Sequence, residues 1–207
     1  MLGVSGSNTA IGVYGRTLSG NNIQATGRVT NGTYGILLNG SSTINATGTS
    51  GSSLVRGINT AGGTNALLAG AGVTLSAATG STLTVWGDGT NTADRAMRMD
   101  GGAVTNGNVT IKGTSNNNSG LLLINGRVRA NANSTLTLEG TTSAAGQSAV
   151  FFVNGGGVEM SNGSSLQVTG QNTATSGTGR GVSLQGAGIT KVAGARSEER
   201  RVGKECL

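Results

Sequence analysis

Proline and histidine are absent from this 207-residue chain, cysteine occurs once, and Tyr14, Tyr34, Trp86, Phe151 and Phe152 are its only aromatic residues. Each shortage excludes something. Without histidine there is no Ser-His-Asp or Cys-His arrangement, and most zinc and haem sites are ruled out. Aromatic side chains bring the largest buried areas, so a chain this poor in them cannot build a conventional globular core. Lys/Arg clusters interleaved with aromatics are missing, so the net charge of +6 gives no nucleic-acid footprint. No apolar run approaches the length of a membrane-spanning helix. Met1–Ser5 lacks the basic and apolar regions of a secretory signal, which fits either a cytosolic protein or a start internal to a larger one.

What is present is equally one-sided. Glycine, threonine, serine and asparagine make up about half of the residues. Such a composition can mean disorder, but disorder goes with high charge and few apolar residues. Here 35% of residues are hydrophobic and only 11% are charged.

The apolar residues are ordered. An apolar-x-apolar-x-Gly motif occurs fourteen times, ending at Gly6, Gly15, Gly27, Gly40, Gly48, Gly70, Gly87, Gly101, Gly113, Gly126, Gly140, Gly155, Gly170 and Gly186. Composition alone predicts about five. One class ends at Gly15, Gly40, Gly70, Gly101, Gly126, Gly155 and Gly186, spaced by 25, 30, 31, 25, 29 and 31 residues. Asn39, Asp100, Asn125, Asn154 or Gln185 precedes five of these glycines, as suits a tight corner. The other glycines read as a second, alternating corner. A period of this length is the mark of a solenoid.

Each repeat therefore offers two short strands with inward apolar pairs, Leu136 and Leu138 among them. Segments such as Gly72–Leu75 and Gly157–Met160 read as a third. Leu54–Gly57 reads as an insertion or a degenerate rung, and Asn116–Ser119 and Thr173–Ser176 as loop excursions. One such unit cannot bury its apolar face, but stacked units share a continuous core. The expected fold is all-β, a parallel β-helix over residues 1–195. An antiparallel sandwich of the same strands is the alternative.

The segment from Arg196 to Cys206 departs from this pattern. It carries seven charges and the only cysteine. Back-translated, it matches a common short-read sequencing adapter read in frame. Residues 196–207 are therefore expected to be a non-native tail that packs against nothing or forms a short local helix. The β-helix is then expected to be truncated at both ends, since Leu2 and Val4 begin in motif register and Val182 and Leu184 end in it.

The runs Gly120–Gly126, Ser134–Gly140 and Ser164–Gly170 resemble the repeats of bacterial autotransporter passengers, closest to the pertactin-like group. That resemblance covers residues 1–195 through texture and period. It implies a right-handed parallel β-helix, displayed on the Gram-negative cell surface or secreted by type V secretion through a C-terminal outer-membrane β-barrel. It also implies an adhesive or structural stalk with host or environmental surface ligands, and no nucleic-acid or membrane-inserting role for this segment. A fragment of a polysaccharide-acting β-helix enzyme and a filamentous-haemagglutinin-like exoprotein are the alternatives.

Chemistry is thin in the sequence. Asp88, Asn91 and Asp94 supply clustered oxygens for a hard cation, but their spacing matches neither the EF-hand loop nor the glycine-rich nonapeptide and reads as a polar turn. Gly177–Gly181 and Gly186–Gly188 look like phosphate loops only because glycine is everywhere. Glycan hydrolysis needs paired acids, and Asp88, Asp94 and Asp100 with Arg95 and Arg98 form the one cluster available. Glu139 and Glu159 stand apart from it. A solvated edge with local ion pairs is the preferred reading, so no catalytic, cofactor or metal residue is assigned and no enzyme is expected. Thr82-Leu83-Thr84 and Thr135-Leu136-Thr137 read as occupying different rung positions, which argues against an ice-binding face. The sequons at Asn31 and Asn162 follow from composition.

Overall fold

The computed structural model describes residues 1–5, 8–60, 62, 64–90, 95–186, 188–191 and 196–199. Those residues form a β-solenoid of about six turns, with no helix among them. Each full turn lays down three strands, one in each of three walls.

Wall one contains β1 (Leu2–Ser5), β4 (Gln24–Val29), β7 (Gly51–Asn59), β10 (Ser81–Gly89), the second half of β12 (Gly102–Ser115), β15 (Ser134–Thr142) and β18 (Ser165–Asn172). Wall two contains β2 (Ile11–Tyr14), β5 (Tyr34–Asn39), β8 (Asn65–Ala69), β11 (Met97–Met99), β13 (Leu121–Ile124), β16 (Ser148–Val153) and β19 (Arg180–Gln185). Wall three contains β3 (Thr17–Gly20), β6 (Thr43–Ala46), β9 (Thr74–Ala77), the first half of β12, β14 (Arg127–Ala130), β17 (Gly157–Met160) and β20 (Gly188–Lys191). β12 runs from wall three into wall one, with a register irregularity between Val104 and Asn106.

Every pairing among the described strands is parallel. The antiparallel sandwich is thereby excluded. Side chains alternate across each wall, and the inward set forms one continuous core. Leu136 and Leu138 are fully buried in it, beside Ile111, Leu83 and Phe152.

Seven glycines form a column in wall one. Gly3, Gly27, Gly57, Gly87, Gly113, Gly140 and Gly170 are successive register partners. They lie within strands, on the inward side, two residues past the second inward apolar position. A Cβ on Gly27, Gly57, Gly113, Gly140 or Gly170 would stand 1.9–2.1 Å from a backbone oxygen of Gly35, Ala66, Gly120, Ala149 or Gly181. Those residues are small and immediately precede the paired Ile36, Leu67, Leu121, Val150 and Val182 of wall two. Walls one and two thus converge to backbone contact along one seam.

The second class of motif glycine is therefore largely no corner. Gly27, Gly87, Gly113, Gly140 and Gly170 are interior packing positions where the walls leave no room for a side chain. The first class is a true corner. At Asn154–Gly155 both residues have positive φ (51° and 78°), while at Asn125–Gly126 Asn125 alone does (64°).

Three further expectations change. Leu54–Gly57 is no insertion: it sits inside β7, and Gly57 occupies the glycine column. Ser53 takes the first inward slot there and accepts a hydrogen bond from the Ile23 amide at 3.0 Å, so an apolar search overlooks the rung. Next, the motifs ending at Gly6, Gly70, Gly126 and Gly155 are one residue out of phase. Leu2 and Val4 pair with the outward Thr26 and Arg28, and the core takes Leu67, Leu121, Leu123, Val150 and Phe152 instead. β8, β13 and β16 are apolar at consecutive positions, and a period of two cannot fix phase there. Lastly, Arg196–Glu199 forms a strand, β21, which pairs in parallel with Ser165–Val168 of β18. The expectation that residues 196–207 pack against nothing fails at those four positions. An open sheet edge offers backbone donors and acceptors to any extended segment, whatever its side chains.

Candidate functional site

The acids of the sequence-derived cluster do not form a common site among the described residues. Asn91 and Asp94 lie outside those residues. Asp88, on the outer side of β10, is buried against Arg56 of the preceding rung, which donates to its carboxylate from Nη2. Asp100, just past β11, receives a two-pronged pair from Arg98, at 2.7 Å from Nε and 3.0 Å from Nη2. Arg95 joins wall two through its carbonyl, which accepts from Asn65 Nδ2 at 3.0 Å. Glu139 and Glu159 each face a cation in direct register: Lys112 and Arg129, both at 3.5 Å. Each of these four carboxylates is thus engaged by a neighbouring base.

The ion pairs of wall one are part of a longer ladder. Arg56, Trp86, Lys112 and Glu139 are successive register partners on its outer face. The Arg56 guanidinium lies 4.0 Å from the centroid of the Trp86 ring, and Lys112 Nζ lies 5.4 Å from it. Trp86 Nε1 donates to Thr114 Oγ1 at 3.3 Å. A cation over an indole face is favourable, so the one tryptophan fastens three rungs from outside.

The threonines align after all. Thr82 pairs with Asn108, and Asn108 with Thr135, while Thr84, Thr110 and Thr137 form the adjacent column. Unequal loop lengths hide this alignment in the sequence. The array spans few rungs and borders the charged ladder. Gly177–Gly181 leads into β19, a strand, and so lacks the helix N-terminus that a phosphate loop uses.

A polar column escaped sequence reasoning. Asn59, Ser115, Thr142 and Asn172 lie two residues beyond glycines of the column, the first three buried and Asn172 half-buried. Thr142 Oγ1 donates to the Asn118 carbonyl at 2.6 Å and accepts from the Ala144 amide at 3.1 Å. Asn172 Nδ2 donates to the carbonyls of Ala144 and Gln147 at 3.2 and 2.7 Å. These side chains satisfy the loops that lead from wall one to wall two. Their fixed offset from a glycine was the available signal.

Arg127 and Arg129 were missed too. In β14 they alternate with the buried Val128 and Ala130, so both project outward. Arg129 stands between Ala103 and Glu159 in register, and Arg127 pairs with Gly157. Small residues beside long ones leave a groove of about 370 Å³, lined by Gly72, Val73, Thr74, Gly102, Ala103, Arg127, Arg129 and Glu159. Arg127 Nη1 donates to Thr190 Oγ1 of β20, beyond β17. Arg129 keeps 68% of its side chain exposed. The Arg-x-Arg spacing on a strand was the legible signal.

No protein-family model matches this chain, and no curated protein or solved structure matches it.

Proposed function

We propose that this chain is part of a surface-displayed or secreted solenoid of the autotransporter passenger type, acting as a stalk with adhesive faces. The carrying observation is the repetition of one cross-section, with an unbroken apolar core and a glycine seam, in turn after turn. Each turn adds reach and outer surface to a single rod. The polar outer walls leave room for varied contacts, and the runs Gly120–Gly126 and Ser134–Gly140 have the texture of pertactin-like passengers.

The test is the coding sequence that flanks this segment in the genome of origin. A following segment of alternating strands with aromatic girdles supports the reading. A frame that ends without such a barrel, beside a separate transporter gene, replaces it with a haemagglutinin-like exoprotein. Surface labelling of the native cells separates display from retention inside the cell.

A further inference from the structure

We propose that the groove on wall three binds an acidic polysaccharide through Arg127 and Arg129. This deepens the stalk reading by naming one contact surface and the chemistry it selects.

The geometry argues for the ligand class. Arg127 and Arg129 lie two residues apart on one strand and point the same way, so they present two guanidinium groups along one side of the groove. Guanidinium groups recognise planar carboxylates and sulfates through paired N–H donors. Glu159 offsets Arg129 at 3.5 Å, whereas no carboxylate engages Arg127 among the described residues. The groove therefore keeps a positive excess. Its floor is Gly102 and Ala103, with Gly72 alongside. Bare backbone there lets a flat, hydroxyl-rich ring lie close, and Thr74 and Glu159 can exchange hydrogen bonds with its hydroxyls. No large apolar side chain lines the groove, so it offers no pocket to anchor a peptide. The shape suits an extended chain of sugars, and the charge requires that the chain be anionic.

The experiment uses the full 207-residue chain and three soluble probes: polygalacturonate, a sulfated glycosaminoglycan and neutral dextran. Binding to the acidic probes, with dextran inert, is expected. Comparing the two acidic probes tells whether carboxylate or sulfate is preferred. The double variant Arg127→Ala/Arg129→Ala should lose about tenfold or more in affinity, as expected for two charged hydrogen-bonding groups. Ala103→Leu should also weaken binding, because it fills the floor without altering charge. Arg16→Ala/Arg28→Ala removes the same charge from exposed positions elsewhere and should change affinity less than about twofold. Trp86 fluorescence verifies that each variant is folded. Equal losses in the two double variants would reduce the effect to diffuse electrostatics and overturn the proposal, as would an unaffected Ala103→Leu or equal binding of dextran. Each of these three results leaves the stalk reading untouched, because that reading is tested on the flanking coding sequence and on display.

Discussion

A Cβ placed on Gly140 would stand 2.1 Å from the carbonyl oxygen of Ala149. The two residues belong to adjacent walls of the same turn, and no rotamer relieves the clash, since both partners are backbone. Gly140→Ala should therefore destabilise the chain by about 3 kcal/mol, the upper range for overpacking a core. Gly146 has φ 73° and open space around its Cβ position. Gly146→Ala should cost only the left-handed penalty of about 1 kcal/mol. Urea unfolding of both variants gives the comparison, and equal losses would remove the seam from the account.

Arg56 and Asp88 give a second test. Asp88 is 8% exposed, so Arg56→Ala strands a buried carboxylate. A loss of about 2 kcal/mol is expected, below the value for a fully buried pair because Arg56 is partly solvated. Adding Asp88→Asn should recover part of that loss. Trp86, stacked on Arg56, reports the change directly: its emission should shift in Arg56→Ala before any global unfolding.

β21 pairs with β18 through backbone groups, so its sequence should matter little. Scrambling Arg196–Glu199 should leave stability within about 0.5 kcal/mol, as for an ordinary surface change. Hydrogen exchange should still show protection at β18. A scramble that costs markedly more would mean that the side chains of this segment are fitted to their neighbour.

Among the described residues β1 pairs only with β4, and Leu2 and Val4 are 74% and 68% exposed. Exposed strand edges pair with other chains. The purified chain should associate end to end, more strongly as concentration rises, and Leu2→Ser/Val4→Ser should weaken this. Light scattering over a concentration series decides it, and a monodisperse monomer throughout would count against association through β1.

The architecture was legible because repetition amplifies a weak signal. Pairs such as Leu136/Leu138 and Val109/Ile111 fix the inward face without help. Phase was lost at Leu121–Ile124, where every residue is apolar and either alternation fits. β7 was lost for the opposite reason, since Ser53 fills an apolar slot and is satisfied by a backbone amide. The glycine seam was visible as a pattern and misread as a turn, because close approach of two walls and a positive φ leave the same residue in a sequence. The Thr82–Thr135 alignment needed the register itself. Arg127 and Arg129 acquire meaning only beside Gly102 and Ala103, which are distant in number and adjacent in space.

The seam also governs how such a protein changes length. Each turn brings its own glycine and its own small partner, and together they form a complete joint. Duplicating or deleting one whole turn leaves every remaining joint intact, whereas a partial turn would set a side chain against a carbonyl. Lineages of this chain should therefore differ by whole turns, with the outer positions away from the wall-one ladder and the wall-three groove free to drift and the glycine of each turn held in place.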